Sequence, residues 1–513
     1  MKDNLHTGDV TREKLVSGIR KCADAVGGTM GTGGFNALIE CMENPQHFTT
    51  NDGATILESI HFSDEIEEIG RRVLLEAVKR ANKQSGDGSS TTTVLTAAII
   101  EEGMKYLDKY SPMDIKKSLD ECVAVVEESI KKQKREITVD TVGQVASISA
   151  EDEKIGALIQ EIYQKIGKDG IIHWDISKSY EDEYSIGEGI TIDGAALLSP
   201  YMADMDTTGN FLYTTRLKNP KILVTKQKLS SLEDISHLME SLYKNDIKEL
   251  VVFADEVDPL VIGSAAKTRF REQNAFRVLI VKMPTIWKDW WYEDIAKATG
   301  AAVVDGVNIT NRTAKKDNLG TVENLSVTKS ETHLDGIKDV SEHVKQLEEE
   351  NTDDSKLRAS RLNTKTARYF VGAPSETALA YRRLKVEDAI SAAWQALQNG
   401  VVAGGGSSLV QAAHELPGGI GGLIMAAALK APAKQIASNS GHKKMVIGAE
   451  YLEGKGFDSR TGTFVDMFDA GIIDPANVVL NAVRNSISVA ASVLTAPVVI
   501  TLPRQEQQVS QRN

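Results

Sequence analysis

Gly86-Asp87-Gly88-Ser89-Ser90-Thr91-Thr92-Thr93-Val94-Leu95 is the stretch from which the rest of the chain can be read. Two glycines flank an acid, and five hydroxyl residues follow. Glycine lets backbone come close to a bulky anion. Hydroxyl side chains cap a helix start and donate to anionic oxygens, and the helix N-terminus adds free N–H groups and partial positive charge. Asp87 would repel phosphate unless a divalent cation lay between them, as Mg²⁺ does when shared by a carboxylate and phosphate oxygens. The stretch therefore reads as a Mg-nucleotide phosphate site. It is not a Walker A loop, since no GxxxxGK[ST] occurs there. On pattern alone, a simple turn and helix cap remains an equal alternative.

The flanks place this loop between two helices. Upstream, Ile66, Ile69, Val73, Leu74, Ala77, Val78 and Ala81 recur at three- and four-residue spacing. Downstream, Val94, Leu95, Ala98 and Ile99 begin a second amphipathic run. The loop thus opens a helix, as a phosphate cradle requires.

The chain's 513 residues suggest two to four domains. With 26% charged and 41% hydrophobic residues it has the composition of a globular protein. A formal net charge of −13 argues against a general binder of nucleic acid or anionic membranes. Cys22, Cys41 and Cys122 are scattered without metal-type spacing, which predicts a reducing compartment and no disulfide framework. The first residues, MKDNLHTGDVTREK, have no apolar core and do not read as a signal peptide. The apolar stretch Val489 to Leu502 is too short to span a bilayer and reads as a buried strand or helix end. A cytoplasmic protein is the expectation.

Along the chain, residues 1–134 read mainly as helix, with Glu13 to Val26 amphipathic, a glycine-rich turn at Gly27 to Gly34 and a short strand at Asn36 to Glu40. Between about 189 and 365 strands and helices alternate. Lys221–Thr225, Glu249–Ala254, Arg277–Lys282 and Ala301–Asp305 are predicted strands, and Leu232 to Tyr243 is a predicted helix, which together make an α/β module. The charged run Val344 to Leu362 reads as a solvated helical hairpin. Helix returns from about 366, including one long helix over Glu376 to Gly400, and the tail from Pro503 is polar and predicted to be disordered.

The phosphate loop resembles the GDGTTTATVL loop of the GroEL-type (group I) chaperonins. TNDG (Thr50 to Gly53) resembles that family's TKDG, and SPMDIKKSLD (Ser111 to Asp120) its NPMDLKRGID. Counterparts of QVASISA (Gln144 to Ala150), LSPY (Leu198 to Tyr201), KVEDAI (Lys385 to Ile390), NGVVAGGG (Asn399 to Gly406) and AGIIDPANV (Ala470 to Val478) follow in the family's order. The resemblance covers essentially the whole chain. It implies an α/β multidomain fold: a mostly helical equatorial ATP-binding domain (1–134 and 400–513), a small hinge-like intermediate domain (135–188 and 366–399) and an α/β apical polypeptide-binding domain (189–365).

The resemblance also assigns roles. Asp87 would be the Mg²⁺ ligand, with Gly88, Ser89, Ser90 and Thr91 on phosphate and Thr29, Met30 and Gly31 wrapping the nucleotide. Gly405, Asp474, Asp458 and Ser459 would contact adenosine. For Gly404 to Gly406, tight helix packing is the plain alternative; for Asp474, a turn before Pro475. Asp52 and Asp388 would be the hydrolytic carboxylates, orienting and polarising water. Mg-ATP is the implied cofactor, and K⁺ is admitted as a second cation. Tyr201, Met202, Ser236, Met239, Val261, Ala265 and Ala266 fall where the family presents its apolar groove to unfolded chains and to a lid co-chaperonin. Small side chains there predict a shallow groove, which argues against a lid. Trp287, Trp290 and Trp291 are a candidate substitute patch, or core.

Other departures stand out. The family's GPKG turn is Gly31-Thr32-Gly33-Gly34 and its TKDG lysine is Asn51, so two cations near the phosphates are gone. Lys434 and Lys443 occupy the positions of an Arg–Glu pair between rings, which predicts a weak or absent double ring. The expectation is an ATP-dependent chaperonin working as a ring-shaped homo-oligomer, sevenfold by resemblance, on non-native polypeptides. The alternative is a ring-forming holdase or scaffold with a weakened ATPase cycle.

Overall fold

The computed structural model describes residues 5–40, 47–177, 179–203, 215–268, 276–284, 288–328, 331–350, 352–362, 365–443, 445, 447–451, 454–496 and 498–501. The expected disordered tail, Cys41 and Trp287 lie outside these residues. The chain forms two compact units. One comprises Met1–Lys168, Trp174–Glu183 and Phe370–Asn513; the other comprises Asp169–His173 and Tyr184–Tyr369.

The first unit is helical and is built from both ends of the chain. Asp9–Gly27, Glu65–Ser85, Ser89–Met104 and Pro112–Gln133 share one apolar core with Ile420–Ala428 and Ala476–Leu494. The apolar spacing explains the assignment: Leu15, Ile19, Cys22 and Val26 line one face of the first helix and are all buried. Ser111 caps the helix Pro112–Gln133, with Pro112 as its first residue. The helices Asp9–Gly27 and Glu65–Ser85 touch backbone to backbone. A Cβ added at Gly18 would lie 2.2 Å from the Glu67 carbonyl oxygen, and one at Gly70 would lie 2.3 Å from that of Leu15, so neither position accepts a side chain. The late helix packs on the early ones, and Ser486 Oγ donates to the Thr92 carbonyl (3.1 Å). Strands Leu5–Thr7 and Val498–Ile500 pair antiparallel, Leu5 opposite Ile500.

In the second unit, parallel strands run in the order Val303–Val304, Lys221–Thr225, Glu249–Ala254, Arg277–Lys282, with Ala196–Leu197 antiparallel at one edge. These strands are continuous apolar runs because both faces are covered. Ile222, Val224, Val251, Phe253, Leu279 and Val281 enter one core layer, whereas Leu223, Leu250, Val252, Ala254, Val278 and Ile280 enter the other. Four antiparallel strands, in the order Glu183–Asp193, Glu331–Asp335, Asn324–Val327, Thr215–Lys218, complete the unit. The strand expected over Ala301–Asp305 is confined to Val303–Val304.

The charged run expected to be a solvated hairpin needs correction. It does form two helices, Ser341–Glu350 and Asp353–Leu362, but one face is buried: Val344, Leu347, Ala359 and Leu362 belong to the core. Buried Arg358 donates to Asp294 (2.7 Å), which also meets His343 Nε2 at 3.0 Å. Composition recorded the charged face; the apolar residues at helical spacing determine the packing. No helix among the described residues is long and apolar enough to cross a membrane.

Candidate nucleotide site

The first unit encloses a cavity of about 550 Å³, and every residue expected at the nucleotide site lines it. Residues from position 29 to 91 meet residues from 385 to 479 around this space. The helix Glu65–Ser85 ends at Gly86 in the left-handed conformation (φ 70°), and Gly88 (φ 97°) precedes the helix Ser89–Met104. No side chain caps that second helix, so its first N–H groups face the cavity as anion donors. A side chain at either glycine would be strained by φ and would also collide, with Ser391 at position 86 and with Val478 at position 88.

Asp87 is fixed by two donors: the Gly88 N–H gives to Oδ1 (2.5 Å) and Ser149 Oγ gives to Oδ2 (3.1 Å). Asp52 caps the helix Gly53–Ser59, accepting from the N–H groups of Ala54 (3.3 Å) and Thr55 (2.8 Å) and from Thr55 Oγ1 (2.6 Å). Its Oδ1 also receives Ser89 Oγ at 3.4 Å, which ties the two loops together. Asp388 comes from the long helix Glu376–Asn399, and Asp474 from the strand Ile473–Pro475, where it stands opposite Val402.

These carboxylates are crowded and poorly solvated. Burial raises the Asp87 carboxyl above the usual range, against the pull of its two hydrogen bonds and of Lys385. Asp388 is pushed well above that range, first by burial and then by the Asp87 and Asp52 charges. Burial and Asp87 push Asp474 up to about 7. Such a cluster calls for a compensating cation. Among the described residues, no three His, Cys, Asp or Glu side chains form a metal-holding group of their own. A divalent ion here would therefore take most of its ligands from phosphate and water, as Mg²⁺ commonly does. The Ser408 hydroxyl, which also lines the cavity, is buried without a partner. The site thus fits a Mg-nucleotide: uncapped helix N–H groups, carboxylates that outnumber the Lys385 ammonium beside them, and an unmet hydroxyl.

The remaining contacts shape the rim. Thr29 Oγ1 donates to the Val26 carbonyl (2.7 Å), and Asn439 Nδ2 donates to the carbonyls of Gly27 and Met30 (both 2.9 Å), which holds the turn before Gly31 (φ 72°). Asp458 turns its carboxylate onto its own hairpin, accepting from Arg460 N–H and Thr461 Oγ1 (both 2.8 Å). Ser459 Oγ meets Thr32 Oγ1 at 2.6 Å. Gly405 (φ 61°) lines the cavity, whereas Gly406 lies so close to Ala433 that a Cβ would approach its amide nitrogen to 2.7 Å. Adjacent glycines thus serve different ends.

Two residues here were missed in sequence. The local charge is not simply lost, because Lys385, buried, lines the cavity beside Asp87 and Asp388. Ser149, the donor to Asp87, also went unread. Lys385 precedes Asp388 by three positions on one helix face, and that spacing is the signal that could have found it.

The titration of Asp474 makes a prediction. Its folded pKa of about 7 lies above the ordinary carboxylate range. The stabilising effect of its protonated form is complete at low pH and lost as pH rises through 7. The nucleotide-free protein should therefore melt about 1 to 2 °C higher at pH 6 than at pH 8, with the difference reduced in Asp474→Asn. Equal pH dependence in the two proteins would refute this.

In the second unit, the expected groove residues separate into two groups. Met202, Val261, Ala265 and Ala266 are buried in one core layer. Tyr201, at 57% exposure, and Ser236 face solvent, and Met239 is half-buried. The helix Pro259–Thr268 turns Leu260 outward at 80% exposure, one position before Val261. Trp291 is in the core. In the first unit, Lys434 and Lys443 are exposed.

Comparison with known proteins follows this geometry. The TCP-1/cpn60 chaperonin family matches residues 22–503. Two crystal structures of the chaperonin gp146 from bacteriophage EL 2 (Pseudomonas aeruginosa), both in the presence of ATP-BeFx, share the fold. Crystal form II gives a TM-score of 0.74 at 19% identity, covering 98% of this chain and 99% of that one. Crystal form I gives 0.68 at 20%, covering 98% and 100%.

Proposed function

Since this chain belongs to the TCP-1/cpn60 chaperonin family, we propose that it is an ATP-driven chaperonin that binds non-native polypeptides within a ring-shaped homo-oligomer. The observation that carries the reading is the convergence of Asp52, Asp87, Asp388 and Asp474 on one cavity with an uncapped helix N-terminus. Bound Mg²⁺ would supply charge neutralisation between carboxylates and phosphate. Asp87 would hold it, and the first-turn N–H groups of the helix Ser89–Met104 would bind phosphate oxygens. Asp388 and Asp52 would orient and polarise the attacking water. The segments 135–188 and 366–399 would act as the hinge between the equatorial and apical domains. Tyr201, Ser236, Met239 and Leu260 would present the polypeptide-binding surface.

Native mass with and without Mg-ATP tests the assembly. At 55.8 kDa per chain, a seven-membered ring has a mass of about 390 kDa and a double ring about 780 kDa. The exposed lysines at 434 and 443 favour the smaller value. A monomer under all conditions would remove the chamber and refute the reading. Refolding of a denatured enzyme, compared with and without ATP hydrolysis, separates a cycling chaperonin from a holdase: equal yields would favour the holdase.

A further inference from the structure

Asn51 and Lys385 approach the nucleotide cavity from different parts of the chain and converge on one atom. Asn51 Nδ2 and Lys385 Nζ each donate to Glu151 Oε1, both at 3.0 Å. Glu151 ends the helix Val142–Ala150 in the left-handed conformation (φ 56°), and its side chain is 39% exposed. Lys385 is otherwise buried, and its ammonium acts electrostatically on both Asp87 and Asp388. All three residues line the cavity.

A buried ammonium has three protons to place. Besides Glu151, the groups around it are the Tyr381 ring at 5.8 Å and the Asp87 and Asp388 carboxylates. Among the described residues only Glu151 takes a hydrogen bond from it, so protons remain to be placed, and the same cavity is shaped for a polyanion. Neither the Thr32 turn nor the Asn51 loop offers a cation.

We propose that Lys385 is a phosphate-binding residue of the nucleotide site, supplying from the helix Glu376–Asn399 the positive charge that position 51 lacks. Glu151, steadied by Asn51, holds the ammonium at the cavity wall and competes with phosphate for it. This rests on the nucleotide reading of the site. It makes Glu151 an antagonist of binding: neutralising it should free Lys385 for phosphate.

Calorimetric titration of the full-length protein with Mg-ATP, Mg-ADP and adenosine tests this. Lys385→Met should weaken Mg-ATP binding about tenfold or more, leave adenosine binding unchanged, and be largely rescued in Lys385→Arg. Glu151→Gln should tighten Mg-ATP binding. If Lys385→Met proves unstable, the Glu151→Gln and Lys385→Arg titrations still decide the matter. Mg-ATP affinity that is unchanged in Lys385→Met, or weakened in Glu151→Gln, would overturn the proposal while leaving the nucleotide site intact. A wild-type protein that binds neither Mg-ATP nor adenosine would overturn the functional reading and this inference with it.

Discussion

Asp388→Asn should lower the rate of ATP hydrolysis by about 10²- to 10⁴-fold while leaving Mg-ATP affinity within about threefold of wild type. The substitution is nearly isosteric and removes a charge that could orient and polarise water. The same change should stabilise the nucleotide-free protein. Burial and the charges of Asp87 and Asp52 hold the Asp388 carboxyl well above the ordinary range, so its ionised form opposes folding at neutral pH. A neutral amide relieves that repulsion. The variant should thus melt higher than wild type yet turn over far more slowly, the expected trade-off at a site whose charges are set for a ligand. Phosphate release and a thermal melt on the same samples decide it. Retained turnover would exclude Asp388 from the chemistry, and a lower melting temperature would contradict the electrostatic account.

Asp87→Asn should fail at an earlier step. Asp87 is the carboxylate most directly joined to the phosphate loop, through the Gly88 N–H and Ser149 hydroxyl. An amide keeps one acceptor oxygen but loses the charge and presents N–H donors where a cation would bind. Mg-ATP affinity should fall by about 100-fold or more, whereas adenosine, which needs no metal, should bind as before. The two variants then separate functions within one cluster: Asp388→Asn binds and does not turn over, and Asp87→Asn does not bind. Titration with Mg-ATP at rising Mg²⁺ concentration checks the second. An affinity that matches wild type across that series would place the metal elsewhere.

What the sequence disclosed depended on the physical origin of each signal. The loop between the helices Glu65–Ser85 and Ser89–Met104 was legible because glycines, an acid and a helix start occur within ten consecutive residues. The parallel strands of the second unit were legible because burial on both faces turns period-two alternation into continuous apolar runs. The direction of the helix Pro259–Thr268 was not. A one-residue shift in reading places Val261 at the surface and Leu260 inside, the reverse of what the fold adopts. Periodicity locates an apolar stripe but does not say whether core or partner covers it. The charged hairpin misled for a related reason: Arg358 reads as solvated until Asp294, from another helix and also in contact with His343, is seen to meet it. Lys385 was hidden because its partners, Asn51 and Glu151, come from distant parts of the sequence.

The first unit takes its helices from both ends of the chain, and this constrains the order of events during synthesis. Asp87 leaves the ribosome long before Asp474, with roughly 390 residues between them. At about 5 to 20 residues per second the interval is roughly 20 to 80 s. Throughout it, the helices Glu65–Ser85 and Ser89–Met104 lack the late helix Ala476–Leu494 that covers them. The second unit is drawn almost wholly from one continuous segment and can mature while the first waits. A nascent chain of this protein therefore exposes unfinished apolar surface throughout that interval, and its candidate site is complete only after the late helix has emerged.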